Sequence, residues 1–279
     1  MNENLILVTG NNGFVGSCLC ERLKLMNLPF YGVSRTNGFN LADESCIKNI
    51  PRCNIVMHLA SLVPQKNTGD NYEKDIDAMK NLISYCKRYN AKVIFNSSCA
   101  VYGKPENNPV TENERLEPAG KYGESKKVCE YMLIHSGVEG FILRFFNIYG
   151  PGQSSKFLIP ILIEKIKKRG VVKLMPGAKR DFVYVDDAVD ALLRSLADVK
   201  DNQGIKIINI GSGRSTKIKD IAVKISGILN APLLTDESGL APQNQVEEIY
   251  AEGSRAKNIL RWEPTVALND GLKKTVCAT

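Results

Sequence analysis

Histidine is nearly missing from this chain. Its 279 residues include two, His58 and His135, and a single tryptophan. Without clustered imidazole, thiolate or carboxylate ligands the reading holds no zinc site, and no metal is expected. The eight cysteines (Cys18, Cys20, Cys46, Cys53, Cys86, Cys99, Cys129 and Cys277) form no Cys-x-x-Cys pair, and most stand in apolar runs. They read as buried free thiols of a reducing compartment, not as a disulfide frame. No apolar stretch approaches the roughly 20 residues of a membrane span. The opening MNENLILVTGNNGF has no basic segment and breaks at glycine after a short apolar run, so it is not read as a signal peptide. A cytoplasmic, soluble protein is expected, with neither a membrane nor nucleic acid as partner. Charge clustering is also scarce. The net charge is +7, yet the densest basic run, EKIKKRG (164–170), closes an apolar helix and reads as its solvated end. A mild positive balance would also suit a polyphosphorylated small substrate.

What is present is ordinary globular composition, 43% hydrophobic and 24% charged, in a chain long enough for one large domain or one and a half. Short apolar runs alternate with helical spacings. LILVT (5–9), PFYGVS (29–34), NIVMHLA (54–60), AKVIFNSS (91–98) and GFILRFFN (140–147) read as strands. Between them, Val15, Leu19, Leu23 and Met26 mark one helix, and helices are expected over about 72–90 and 120–136. Fully apolar strands separated by helices imply an α/β fold, a doubly wound parallel sheet covered on both faces. After Pro151 the rhythm loosens. Pro160 is expected to open a helix through ILIEKIKK, KIINIGSG (206–213) to form a late strand, and Thr216 to cap a helix carrying Ile218, Ile221, Ile225 and Ile228. Loops are expected over 231–245. The N-terminal part, 1–150, reads as a nucleotide-binding domain. A late strand and helices around 182–213 return to it, and 151–181 with 214–279 form a smaller, interleaved C-terminal lobe.

Directly after the first strand, TGNNGFVGSCL spaces Gly10, Gly13 and Gly16 by three. The first allows a tight turn, the second lets backbone approach a pyrophosphate, and the third lets the helix pack closely on the strand. The free N–H groups of the helix start then face phosphate. The group ending the second strand should read the adenosine ribose. Here Ser34 and Arg35 hold that place, with no carboxylate before Asp43. A basic residue there points to NADP(H), with NAD(H) as the alternative.

In YGESK, Tyr122 and Lys126 stand at i and i+4 and share a helix face. A tyrosine hydroxyl is a poor base at neutral pH, and a nearby ammonium is expected to favour its phenolate and make it a usable acid/base. Upstream, a buried strand ends in NSSCAVYG, placing Ser98 where a hydroxyl could bind the same substrate oxygen. Dinucleotide loop, strand-end serine and Tyr/Lys helix, in that order, resemble the extended short-chain dehydrogenase/reductase superfamily. VTGNNGFVG, VMHLA, SSCAVYG, YGESK, RFFNIYGPGQ, KRDFVYVDDAVDAL and RAKNILRWEPTVALNDGL extend the resemblance over nearly the whole chain. Together they are similar to the nucleotide-sugar epimerases, dehydratases and reductases.

The resemblance implies a Rossmann-type domain and an NAD(P)-dependent enzyme acting on a nucleotide-sugar, usually at C4. Tyr122 would exchange the proton, Ser98 would bind the reacting oxygen, and Lys126 would bind the nicotinamide ribose and lower the Tyr122 pKa. Gly10, Asn12, Gly13, Phe14, Val15 and Gly16, with Ser34, Arg35, Leu41, Leu59 and Ala60, would contact the cofactor. Asn147 and Arg180 would hold the nucleotide-sugar, Arg180 at its pyrophosphate or, alternatively, in a hairpin salt bridge. His58 reads as structural or cofactor-adjacent, Asp186 and Asp187 as helix N-terminal acids. A homodimer through the helices at 72–90 and 120–136 is the family's habit. This chain departs from the pattern in four places. Cys99 and Ala100 stand where sugar 4,6-dehydratases carry an Asp-Glu pair. No histidine follows His135, so a fucose-synthase-like double epimerisation lacks its second group. Asp75 replaces a common asparagine, and Gly152 a common arginine. Two outcomes remain open, net reduction of a 4-keto-6-deoxy sugar nucleotide and 4-epimerisation through a transient ketone. A catalytically silent dinucleotide-sensing or RNA-binding protein on the same fold is the reading from another class.

Overall fold

The computed structural model describes residues 5–62, 72–238 and 246–279. In chain order its elements are β1 (Ile6–Thr9), α1 (Phe14–Leu25), β2 (Phe30–Val33), α2 (Glu44–Lys48), β3 (Ile55–His58), α3 (Glu73–Tyr89), β4 (Lys92–Ser98), α4 (Lys121–Ile134), β5 (Gly140–Phe145) and β6 (Asn147–Tyr149). There follow α5 (Leu158–Lys167), β7 (Val171–Lys173), β8 (Lys179–Arg180), β9 (Phe182–Tyr184), α6 (Val185–Asp198), β10 (Ile205–Ile210), β11 (Thr216–Lys217), α7 (Ile218–Leu229), β12 (Leu234–Asp236), β13 (Glu248–Ile249), α8 (Ser254–Leu260) and α9 (Leu268–Cys277).

Six strands make one parallel sheet in the order β10-β5-β4-β3-β1-β2. The chain runs outward from β1 to β2, then crosses to β3 on the other side of β1. That reversal opens a crevice at the carboxyl ends of β1 and β3, where open α/β sheets bind ligands. Every residue of β1, β3 and β5 is buried, as a sheet covered on both faces requires. Alternate side chains feed two cores. Ile6 and Val8 pack with Leu19 and Leu23 of α1, Leu192 of α6 and Leu260 of α8. Leu7 and Val56 pack with Ile47 of α2, Met79 and Leu82 of α3 and Leu133 of α4. Each such fully buried side chain contributes on the order of 1.5–3 kcal/mol. A third core joins α5, α7 and α9 through Ile163, Ile221, Ile225 and Leu272.

Several expectations need correction. The strand read over 140–147 is two: β5 ends at Phe145, and β6 leaves the central sheet to pair with β9, Asn147 level with Phe182. Thr216 does not cap a helix; it lies in β11 opposite Arg180, and α7 starts behind Lys217 without a side-chain cap. Pro160 is the third residue of α5, which starts at Leu158; its missing N–H falls among those a helix start leaves unpaired. The loop read over 231–245 contains β12, paired with β7, and its residues 239–245 lie outside the described residues. Asp186 and Asp187 do lie in the first turn of α6, but Asp187 is a buried strap. Its carboxylate accepts from Thr265 N at 3.0 Å, Thr265 Oγ1 at 2.8 Å and Val266 N at 3.1 Å. Asp181 does the same for two other segments, accepting from Ser212 N at 2.7 Å and from Gly213 N and Ala251 N at 3.0 Å.

The spacing of the first loop has a steric cause. A Cβ on Gly16 would run into the Gly10 carbonyl oxygen, so α1 can lie this close to the end of β1 only with glycine there. Gly16→Ala is expected to cost about 1–3 kcal/mol by overpacking, read as a lower urea midpoint. An unchanged midpoint would mean that the loop opens freely.

Candidate functional site

A cleft of about 640 Å³ lies over the carboxyl ends of the strands. One end is built from the glycine loop. Helix α1 begins behind Gly13 with no side-chain cap and no acid in its first turn, so its leading N–H groups remain for an anionic ligand. The segment after β2 is tied to this loop. Asn12 Nδ2 donates to Thr36 Oγ1 at 2.7 Å, Thr36 Oγ1 meets Ser34 Oγ at 2.9 Å, and Ser34 N donates to Asn37 Oδ1 at 2.6 Å. Ser34, Arg35 and Thr36 line the cleft beside the loop. Arg35 is exposed. Leu41, Leu59 and Ala60 continue the wall. An uncapped helix start, a loop that only glycine fits and a long cleft beside a cationic rim suit a dinucleotide.

The other end gathers the hydroxyls. Ser98 closes β4, and its Oγ accepts from Ala100 N at 3.2 Å, turning the chain sharply past Cys99. Tyr122 is the second residue of α4. The glycine that follows it explains their meeting: a Cβ on Gly123 would collide with the Ala100 carbonyl oxygen. Without a side chain there, α4 docks against the turn and brings Tyr122 to Ser98. Lys126, one turn on, is 2% exposed. Its Nζ donates to Asn96 O at 2.8 Å and stands 4.7 Å from the Phe95 ring centroid and 5.9 Å from that of Tyr122.

The electrostatics differ from the sequence expectation. Burial pushes the Tyr122 phenol up from its ordinary pKa, and the Ser98 hydroxyl pulls the other way more weakly. In the protein alone the phenol is therefore held protonated; the expected lowering by Lys126 does not prevail. Burial pushes the Lys126 ammonium down, opposed chiefly by Asp75. His58 is structural: its Nδ1 meets Thr9 Oγ1 at 2.7 Å, its ring stacks on Phe95, and burial beside Lys126 drives its pKa down to about 3. Burial pushes the Cys99 thiol up to about 12.

Of the residues singled out in the sequence, Ser98, Tyr122, Lys126, Asn147 and all the proposed cofactor contacts line this one cleft. Arg180 does not line it. It sits in β8, its Nη1 donating to Lys179 O at 2.7 Å and to Glu247 O at 3.2 Å, close enough for its charge to act on Cys99. The side chain that bridges β8 to β13 by an ion pair is Lys179, with Glu248 at 3.2 Å. Asn147 turns its Nδ2 to Asp181 O at 2.8 Å. Phe157, Gln153, Asn96 and Lys74 also line the cleft and went unassigned in the sequence. They come from a helix cap, a loop, mid-strand and a helix start, and no shared motif marks them.

A family model described as the NAD dependent epimerase/dehydratase family matches residues 6–211. A relative named putative UDP-glucose 4-epimerase, from Methanocaldococcus jannaschii, is 30% identical over 98% of this chain and 97% of its own. The dTDP-4-dehydro-6-deoxyglucose reductase of Escherichia coli is 29% identical over the same shares. The solved UDP-glucose 4-epimerase of Thermotoga maritima, with UDP-glucose bound, superposes with a TM-score of 0.88 at 25% identity, covering 98% of each chain.

Proposed function

This chain belongs to the NAD dependent epimerase/dehydratase family, and from that premise we propose that it reduces a 4-keto sugar nucleotide with NADP(H). It is an enzyme of the nucleotide-sugar epimerase/dehydratase type with a nicotinamide cofactor. The observation that carries the finer reading is Arg35, an exposed guanidinium at the end of β2 beside Ser34 and Thr36 on the cleft wall. A 2′-phosphate suits this rim, where a 2′-hydroxyl would call for a carboxylate.

On this reading residues 1–150 with the late region 182–213 hold the cofactor, and 151–181 with 214–279 hold the sugar nucleotide, Asn147 and Arg180 on the substrate side. When bound, the nicotinamide supplies the hydride that adds to the keto carbon. Ser98 hydrogen-bonds the carbonyl oxygen as it gains charge, and Tyr122 gives that oxygen its proton. The buried ammonium of Lys126 then stabilises the phenolate left behind. A phenol held protonated by burial suits this donor role.

The second reading is a 4-epimerase, favoured by the name of the Methanocaldococcus relative. Denaturing purified protein and identifying the released nucleotide separates the two. An empty protein that binds NADPH ahead of NADH supports the reductase. Stoichiometric NAD supports the epimerase and overturns the role given to Arg35. Arg35→Asp removes charge-assisted bonds worth about 1.5–3 kcal/mol. It is expected to weaken NADPH binding roughly tenfold to a hundredfold with little change for NADH, measured by calorimetry.

A further inference from the structure

Among the described residues Asp75 is the one carboxylate that lines the cleft. It stands in the first turn of α3, and its described hydrogen-bond partners are neutral. Ser61 Oγ donates to it at 2.6 Å and Leu62 N at 3.1 Å, fixing the carboxylate beside the end of β3. The same residue's carbonyl accepts from Cys129 Sγ at 3.6 Å, on the α4 turn that follows Lys126. Helix α3 is thus anchored on α4 just beyond Lys126, with the Asp75 carboxylate on the wall of the cleft that Tyr122 and Lys126 also line.

We propose that the Asp75 carboxylate is the counter-charge of the buried Lys126 and keeps it an ammonium beside the Tyr122 phenol, the proton-donating state that reduction needs. The last clause rests on the reductase reading; the electrostatic role does not. The neighbouring groups leave this part to Asp75. On α4, Glu130 is bound to Arg144, with 2.7 Å between Oε2 and Nη2, and burial pushes the Cys129 thiol up to about 12. From β3, His58 is neutral. From the turn after β4, Cys99 is a thiol that feels Arg180. Ahead of α3, the Tyr72 ring meets the Tyr122 ring edge-on at 6.2 Å, and Lys74 lies on the cleft wall. Burial pushes the Lys126 ammonium down, and of the influences opposing it the Asp75 carboxylate is the largest; on Tyr122, burial is the main cause and Asp75 adds to it only weakly.

The test is a titration of the full chain labelled with ¹³Cε-lysine, with Lys126→Met identifying the Lys126 resonance. Asp75→Asn keeps an acceptor oxygen for Ser61 and Leu62 and removes the charge; Asp75→Ser is a second neutral variant. In either, the Lys126 midpoint is expected to fall by roughly one pH unit, and Asp75→Glu to restore it. A midpoint that stays or rises in the neutral variants overturns the proposal. In NADPH oxidation with a 4-keto sugar nucleotide, the alkaline limb of the rate profile should move to lower pH by a similar amount. The titration needs no substrate, so it decides the role of Asp75 even if no 4-keto sugar nucleotide is reduced. Absence of that reduction in the wild type counts against the reductase alone.

Discussion

Replacing Tyr122 by phenylalanine is expected to lower the rate of sugar-nucleotide reduction by about 10²–10⁴-fold, roughly 3–5 kcal/mol of transition-state stabilisation. The ring itself should stay in place. It lies edge-on to Tyr72, and Lys126 hangs over it from a bond to the Asn96 carbonyl that does not involve the hydroxyl. On the proposed mechanism what disappears is one proton donor, positioned against Ser98 by the close approach of Gly123 to Ala100. NADPH affinity should therefore change by less than about twofold, since the lost interaction is made in the transition state. Steady-state rates with a 4-keto sugar nucleotide, alongside NADPH titration of the same variant, check both halves. A rate that does not respond would remove Tyr122 from the chemistry and favour a dinucleotide-sensing protein on this fold.

The parts of the molecule legible in its sequence are those whose cause is local. The spacing of the glycine loop is partly local, since Gly13 and Gly16 both meet the Gly10 carbonyl oxygen, while Gly10 itself lies against Leu59 and Ala60 beyond β3. The parallel sheet reads correctly because β1, β3 and β5 are mostly apolar and buried on both faces. The YGESK helix is legible as a motif and misleading as a pattern. It buries Lys126 and Glu130 while Val128, Tyr131 and Ile134 are 40%, 63% and 43% exposed. Apolar periodicity alone would turn that helix inside out. Its buried charges are tolerated because their partners arrive from other elements: Asn96, Phe95 and Asp75 for Lys126, Arg144 and Ser97 for Glu130.

Distance along the chain hides the rest. Nothing beside Asp181 or Asp187 in the sequence marks either as a strap, because the segments they hold lie 31 to 79 residues away. The break of the strand at Phe146 is equally non-local. Phe146 N bonds to Ile210 O at 3.0 Å, and Asn147 N turns to Asp181 O at 3.1 Å. Arg35 lies at the other extreme. Its place after β2 is plain in the sequence, and its meaning depends on a ligand rather than on anything the fold does with it.

Arg144 shows how much stability can rest on one residue of an apolar run. In GFILRFF it reads as an interruption. In the structure it is 2% exposed and pairs with Glu130, 1% exposed, through Nε at 3.1 Å and Nη2 at 2.7 Å. Ser97 Oγ donates to the same carboxylate at 2.5 Å, beside Ser98 on β4. Arg144 Nη1 reaches Tyr102 OH at 2.9 Å and Glu112 O at 3.1 Å, and Tyr102 OH donates to Asn209 Oδ1 at 2.6 Å. One network thus ties the Tyr122–Lys126 helix to the Ser98 strand, to β5 and to β10. Arg144→Met strands the Glu130 carboxylate in an apolar core, which is expected to cost about 3–5 kcal/mol. In a chain of this size that is roughly a 10 °C fall in melting temperature. Adding Glu130→Met should recover part of the loss, because the double variant buries no unpaired charge. A double variant no more stable than Arg144→Met would mean that the cost lay in the bonds to Tyr102 and Glu112. Arg144→Met, and Glu130→Met made alone, should also lose activity beyond their loss of folded protein, since Glu130 sits one turn beyond Lys126 on the buried face of α4. Rates per folded molecule, measured well below the melting transition, separate that positioning effect from simple unfolding.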